Sequence, residues 1–271
     1  HDSTAAGAGL LLATPGATDS AFVLSDAGHD VRFATRGGGI VSWSLKKFAG
    51  PAGQPVNLVK SGPEPNLTLD LGTEKLELDQ VLFVSNTQPL AGGGRVVTFT
   101  GGAPGGIQVI KRFTLRDGDP VVGLDVEVTG VPITSASPAL EIGWLGGLPR
   151  AERNHKLEMA AMTAVASVGQ SIEKLQPSRS KTPVLKRYPG AVHWVGTHNK
   201  YFFAGILPPD NVATEAVLTG QPGDEPVAGA ALRMPIAGTS ANYAFKVYLG
   251  PLSYPQLKAV GMDRAVDLGW K

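Results

Sequence analysis

The five histidines are the side chains best suited to proton transfer or metal binding, and they stand at His1, His29, His155, His193 and His198. His193 and His198 flank Trp194, and the alternation of a strand would place them on opposite faces. They therefore make a poor metal pair unless a turn separates them. The sequence has no cysteine, no HExxH, no GxSxG and no paired acidic motif. These residues predict neither a metal site nor catalysis, and no cofactor.

Acidic and aromatic residues offer a weaker indication of chemistry. Glu127 and Glu141 lie among apolar residues, but at the outward positions of an alternating pattern. We therefore assign both carboxylates to a solvated face rather than to acid–base catalysis. Trp43, Trp144 and Trp194 are assigned to the core; stacking on a sugar is an alternative that the sequence does not separate from packing.

Composition favours a β-rich globular chain. Of 271 residues, 42% are hydrophobic and 17% charged, with 35 glycines and 21 prolines, which indicates many turns and short strands. The formal net charge of +1 argues against nucleic acid as a partner. No apolar run approaches the roughly 20 residues of a membrane-spanning helix. Because the chain begins at His1 rather than methionine, it is processed, tagged or excised, and we adopt an origin as a piece of a longer protein.

The residues from Ile107 to Thr129 predict a β-hairpin around which the fold is built. Apolar and polar residues alternate on both sides of Arg116-Asp117-Gly118-Asp119-Pro120, which has the glycine and proline of a turn. A two-stranded ribbon is marginal alone, so it needs a second apolar layer. Strand patterns with turn signals every 8–12 residues or so continue through the first 145 residues and return after Val192, as in a sandwich or barrel.

Two segments, one glycine-rich and one basic, are open to a functional interpretation. The glycines after Arg36 could be read as a phosphate-binding loop, but no helix pattern follows, so we interpret them as a reversal or bulge. The segment with Lys174, Arg179, Lys181, Lys186 and Arg187 is predicted to be a solvated loop; contact with anionic lipid headgroups or an acidic partner is the alternative.

The chain divides into three parts on this pattern: a flexible leader (1–20), a β domain (21–252) and a C-terminal helical tail (253–271). Ser253 is a candidate helix cap, with Pro255 in the first turn. Apolar residues then recur at helical spacing, and a helix this short must dock its apolar face to be stable. Residues expected to hold or anchor the tail are Leu257, Val260, Leu268 and Trp270.

Three stretches together resemble the periplasmic domain of the YidC-family membrane protein insertases. They are Thr35 to Val41, which includes Arg36, Gly37 and Gly38; Lys111 to Leu115 with its turn; and a set at the C-terminal end. That set joins His193-Trp194-Val195 and Tyr201 to Ala204 with Leu249-Gly250-Pro251 and Leu268-Gly269-Trp270. The resemblance in the order and spacing of these stretches extends over roughly residues 20–271. Gly250, Pro251 and Gly269 therefore join Arg36, Gly37 and Gly38 as structural motif residues.

The resemblance implies an all-β fold, a β-supersandwich similar to galactose mutarotase, with a short C-terminal helical segment that leads to a membrane core. It implies a non-enzymatic chaperone or insertase domain on the periplasmic side of the bacterial inner membrane. Implied partners are the membrane helices of the same full-length protein, nascent membrane proteins, and the Sec translocon with its SecD/SecF accessory. Two rivals are a mutarotase-like sugar epimerase, which needs a histidine and a carboxylate facing a sugar, and a carbohydrate-binding module.

Overall fold

A computed structural model describes residues 14–151 and 155–266 and shows a predominantly β-sheet protein. The described strands, in chain order, are β1 (Ala21–Ser25), β2 (His29–Ala34), β3 (Gly39–Ala49), β4 (Pro55–Asn57), β5 (Asn66–Asp70), β6 (Lys75–Glu77), β7 (Val84–Pro89), β8 (Arg95–Ala103), β9 (Ile107–Leu115), β10 (Val121–Thr129), β11 (Ala139–Trp144), β12 (Thr163–Val168), β13 (Ser171–Leu175), β14 (Val184–Pro189), β15 (Val192–His198), β16 (Phe202–Leu207), β17 (Glu215–Gln221), β18 (Val227–Pro235) and β19 (Ser240–Pro251). The helices are α1 (His155–Ala161) and α2 (Tyr254–Ala259).

The strands form three antiparallel sheets around one main core. The largest has nine strands in the order β13-β12-β15-β16-β19-β10-β9-β8-β7, the second has six in the order β14-β17-β18-β11-β5-β6, and the third is β1-β2-β3-β4. The four-stranded sheet packs on the nine-stranded one through Phe33, whose ring lies 5.3 Å from Phe113 and 5.9 Å from Phe99. The six-stranded sheet packs against the same layer farther along, where β17 and β18 contact β12 and β15. The predicted all-β fold is confirmed.

The predicted central hairpin is β9 and β10. Its inward residues on β9, such as Ile107 and Phe113, are buried, and Gly118 in the connecting turn has φ +73°. On its far side β10 pairs with β19, so the hairpin lies inside the nine-stranded sheet. The three tryptophans assigned to the core, Trp43, Trp144 and Trp194, are all buried, as predicted. Glu127 lies half-buried beside Arg112 at 3.6 Å.

The basic segment predicted as a solvated loop contains strands, so this prediction was wrong. It includes β13 and β14, which pair with β12 and β17. Both β13 and β14 are edge strands of their sheets, where charged side chains are tolerated because solvent reaches them. Charge therefore concealed the strand pattern.

Both chain ends lie partly outside the described residues. Of the predicted leader, residues 14–20 are described, and there Thr14 Oγ1 donates to the Leu82 carbonyl at 2.7 Å while Ser20 N donates to Thr35 Oγ1 at 2.8 Å. The residues Leu268, Gly269 and Trp270 fall beyond the described part. Within that part, neither helix is long and apolar enough to cross a membrane.

Candidate functional site

A second apolar cluster lies on the face of the nine-stranded sheet that points away from the main core. It contains Val165, Trp194, Phe203 and Tyr248, one from each of β12, β15, β16 and β19, all buried. The Trp194 and Phe203 rings meet edge to face with centroids 6.0 Å apart. These strands are therefore apolar on both faces, which requires a third layer over them.

The C-terminal tail supplies this layer. After β19 ends, α2 adds Leu257, and the segment that follows adds Met262 and Ala265; all three are buried in the same cluster. Together with the four strand residues they are called the tail cluster below. Gly205 on β16 makes room for them, because a Cβ there would lie 2.8 Å from the Met262 sulfur. A helix of six residues is not stable by itself, so this packing holds the tail in place.

The helix is shorter than the sequence predicted, and its end has a clear cause. Gly261 adopts φ +78°, its N–H donates to the Lys258 carbonyl, and the Met262 N–H donates to the Leu257 carbonyl. This is the Schellman arrangement that ends helices at a glycine. A 3-10 turn, Asp263–Ala265, follows instead of more α-helix. Ser253 occupies the N-cap position, but its side chain makes no cap hydrogen bond.

Polar contacts fix the tail at three points. The Leu252 N–H donates to the Tyr201 carbonyl at 2.6 Å, and Arg264 Nη2 donates to the Gln170 carbonyl at 2.7 Å. The Tyr248 hydroxyl lies 2.7 Å from the Pro251 carbonyl oxygen and 2.8 Å from Gln256 Oε1. Burial raises the pKa of Tyr248, so this hydroxyl stays a donor at physiological pH.

The structure brings together only some of the predicted tail residues. Leu257 is at the centre of the tail cluster, and Val260 is half-buried against its edge. Gly250 and Pro251 lie at the end of β19, where the tail begins. Sequence reasoning missed Phe203, Tyr248 and Met262, although the uninterrupted apolar run from Tyr201 to Leu207 is the pattern of a strand buried on both faces.

The other predicted motif residues, Arg36, Gly37 and Gly38, surround a buried polar site. Gly37 has φ +73°, and a Cβ there would lie 2.4 Å from the Pro63 side chain and 2.7 Å from the Asp79 carbonyl oxygen. The Gly37 carbonyl accepts a 2.5 Å hydrogen bond from Lys111 Nζ, which also lies 5.0 Å from the Phe83 ring centroid. Arg36 is farther out and pairs with Asp19 at 2.7 Å.

Glu64 completes this polar cluster, defined as Gly37, Glu64, Asp79 and Lys111. Its carboxyl group accepts the Gly146 N–H at 2.6 Å and the Asn66 N–H at 3.2 Å, while its main chain pairs with Ile40. These contacts connect β3, β5 and the segment after β11. Burial raises the pKa of Glu64 to about 8 against the lowering effect of the N–H donors. Burial lowers the pKa of Lys111 to about 7, opposed only in part by Asp79.

Two clefts beside β1 and β2 test the sugar-enzyme alternative. His29 lies 3.3 Å from Asp26 and lines a cleft of about 250 Å³ with Lys47, Phe48 and Gln256. Asp26 itself lines a separate cleft of about 290 Å³. Burial alone would raise the pKa of Asp26, but three backbone N–H donors, from Gly118, Gly28 and His29, lower it, so its carboxylate organises these turns. Neither cleft is lined by both a histidine and a carboxylate.

His198 is half-buried on β15 and makes a local contact. Its Nδ1 lies 2.9 Å from the Asn199 carbonyl oxygen, and burial lowers its pKa. His193 is exposed on the neighbouring part of β15. Among residues 14–151 and 155–266, no three His, Cys, Asp or Glu side chains are grouped as metal ligands would be. The described geometry gives no positive evidence for catalysis.

Comparison with known proteins identifies the family. Residues 25–271 match the model of the YidC periplasmic domain. The chain belongs to this family. The membrane protein insertase YidC of Chlorobaculum tepidum is 26% identical over 271 residues, which is 93% of this chain and 45% of that protein. That of Pelodictyon phaeoclathratiforme is 32% identical over 171 residues, covering 60% of this chain and 29% of the relative. The chain thus spans less than half the length of these relatives.

Solved structures show that the YidC periplasmic domain described here has a mutarotase-like fold. An aldose epimerase homologue from C. elegans aligns with 86% of this chain and 99% of its own, with a TM-score of 0.50 and 9% identity. The α-N-acetylgalactosaminidase NagBb from Bifidobacterium bifidum aligns with 84% of this chain and 36% of its own, with a TM-score of 0.53 and 14% identity. At such low identity the likeness concerns the fold alone. The predicted mutarotase-like sandwich is confirmed.

Proposed function

We propose that this chain is the periplasmic part of a membrane protein insertase and acts there as a non-enzymatic scaffold whose tail sets its orientation over the membrane-embedded part. The burial of Leu257 in the tail cluster carries this proposal. Because the tail is docked on the sheet, it would fix the orientation of the sheet relative to the membrane-embedded part. Membership of the YidC periplasmic domain family supports the assignment to an insertase.

The partners follow from the same proposal. The first is the set of membrane helices in the full-length protein, which the tail would reach, on the periplasmic side of the inner membrane. Nascent membrane proteins would be the substrates of the whole protein, and the Sec translocon with SecD/SecF would be accessory partners. Leu268 and Trp270 would anchor the last part of the tail, with Trp270 suited to a membrane interface.

The decisive experiment grafts this chain into a full-length relative. It would replace the periplasmic domain of the Chlorobaculum tepidum insertase, and insertion of a small membrane protein into vesicles would be measured by protease protection. We expect Leu257→Asp to reduce insertion strongly, since a buried unpaired charge expels the tail from the sheet. Ile133→Asp is the matched control, because Ile133 is 88% exposed.

Two outcomes would overturn the proposal. Insertion by Leu257→Asp at the level of the unmodified graft would show that tail docking has no role, provided circular dichroism shows the same β-sheet content in both grafts. Turnover in an anomerisation assay with several aldoses would contradict the non-enzymatic assignment. Retention of insertion by the Ile133→Asp control and loss by Leu257→Asp would support the scaffold.

A further inference from the structure

The edges of two sheets meet at a basic cleft, and none of the residues that line it comes from the described part of the tail. β13 ends the nine-stranded sheet and β14 ends the six-stranded sheet, and between them lies a cleft of about 530 Å³. Its polar lining is Lys174, Gln176, Arg179, Ser180 and Lys186. Cationic side chains and a hydroxyl group around an open cleft suit an anionic ligand with several acceptor oxygens.

The charge of this region stands out against the rest of the chain. Residues 171–189 include five lysines and arginines but one acidic residue, Glu173, whereas the whole chain has a net charge of +1. Arg187 pairs with Glu215 at 2.7 Å. In the described part of the chain, Arg179 and Lys186 have no acidic partner within ion-pair distance. A cleft lined by one sign of charge concentrates its electrostatic field on an incoming anion.

An exposed apolar side chain accompanies these cations. Leu185 on β14 is 58% exposed. Strand alternation places its side chain on the face opposite Val184 and Lys186, which line the cleft, so Leu185 flanks the cleft at the same sheet edge. An apolar residue among cations is the composition of surfaces that bind the boundary between lipid headgroups and acyl chains. The side chain is not needed for the core, because it contributes to neither apolar cluster.

The surroundings favour a membrane over an extended peptide. β14 is bounded by Pro183 and ends at Pro189, and prolines and lysines at an edge oppose the addition of another strand. Arg264 in the tail bonds to Gln170 in the turn between β12 and β13, so the described end of the tail reaches the same sheet edge that carries Lys174. Under the proposed function the tail leads to the membrane, and this step rests on that function.

We infer that this cleft, together with Leu185, docks the domain on the anionic phospholipids of the adjoining bilayer. The Arg179 guanidinium and the Lys186 ammonium bind lipid phosphodiesters, and Leu185 enters the headgroup layer. Docking at the sheet edge and at the tail would hold the sandwich at two points.

Vesicle flotation of the 271-residue chain tests this inference. We expect flotation with vesicles that contain phosphatidylglycerol, none with pure phosphatidylcholine, and weakening as salt is raised. Arg179→Gln with Lys186→Gln should lower the partition coefficient roughly 30-fold. Arg116→Gln with Lys75→Gln changes the charge equally at exposed sites elsewhere and should have little effect. Leu185→Ser should lower binding about fivefold.

Several results would overturn the inference. They are absence of flotation with anionic vesicles, equal loss in the two double variants, and binding of a polyglutamate peptide or of inorganic phosphate that outcompetes the vesicles. The lipid-docking inference and the scaffold proposal can fail independently of each other. If the cleft variants keep full insertion in the grafted insertase while Leu257→Asp loses it, tail docking stands and lipid docking falls.

Discussion

The tail cluster and the polar cluster both join parts of the fold that are distant in sequence, but they do so by different physical means. The tail cluster packs Leu257 and Met262 on aromatic rings of the sheet, with Tyr248 as its one ionisable side chain. The polar cluster buries the ionisable Glu64 and Lys111 against main-chain groups. Apolar packing is insensitive to pH, whereas buried ionisable groups make stability depend on pH. We therefore expect the stability of the tail cluster to depend on the volume of its side chains, and that of the polar cluster to depend on protonation.

The largest effect is expected from truncation in the tail cluster. Leu257→Ala removes a fully buried side chain and should lower the free energy of unfolding by about 2–5 kcal/mol. Denaturant unfolding measures it, with Leu185→Ala as control, which should stay within about 0.5 kcal/mol of the parent. Equal stability of the two variants would show that the tail is not held by this packing.

A smaller effect is expected where the glycine of the polar cluster is replaced. Gly37→Ala meets both a positive φ and close contacts with Pro63 and Asp79, so it should cost about 2–4 kcal/mol. Gly53→Ala is the matched control: its φ is +83°, but a Cβ there would meet nothing within 4 Å, so about 1 kcal/mol is expected. Thermal melts that shift equally would refute the role of close approach at Gly37.

The pH dependence of the polar cluster gives a third prediction. Folding raises the pKa of Glu64 from 4.5 to about 8, so the folded state binds a proton that the unfolded state has released. Stability should therefore fall as pH rises through this window, by at most about 1.4 kcal/mol per pH unit. Glu64→Gln should remove this part of the slope, while Glu74→Gln at an exposed site should leave it. An unchanged slope in Glu64→Gln would contradict the assignment.

The smallest effect is expected at Lys111. Folding lowers its pKa from 10.5 to about 7, so the unfolded state binds more protons between these values and stability should rise with pH there. Lys111→Met keeps the length of the side chain, loses the hydrogen bond to Gly37 and removes the rise. At pH 7 it should change the free energy of unfolding by no more than about 1 kcal/mol. The loss of the hydrogen bond is opposed by the gain from no longer burying an amine. Melts between pH 7 and 10 test it; a rise retained in Lys111→Met would be inconsistent with this role.

The alternation of apolar and polar residues identified strands reliably where one face of the strand is exposed to solvent and the other is buried. It predicted β9 and β10, and it identified the turn at Gly118. It was unreliable at β13 and β14, because outward charges on edge strands imitate a loop. It also passed over Lys111, which shares the inward parity of Phe113 but is a residue type assigned to solvent.

For the tail, the sequence predicted that Leu257 must dock but not where. Helical spacing extended the helix too far, because Gly261 ends it through a backbone conformation that spacing alone does not detect. The docking surface on Trp194, Phe203 and Tyr248 comes from three separate strands. Their proximity depends on strand order, which non-adjacent pairings such as β16 with β19 establish.

The sequence by itself determined the β class, the central hairpin and the family of this chain. Period-two patterning, turn glycines and the order of motifs depend only on the order of residues along the chain. The tertiary structure alone decided that two sheet edges form one basic cleft, that a third layer covers β15 and β16, and that Lys111 points inward at Gly37. Each of these depends on contacts between residues far apart in the chain, and such contacts exist only once the strands have been ordered into sheets.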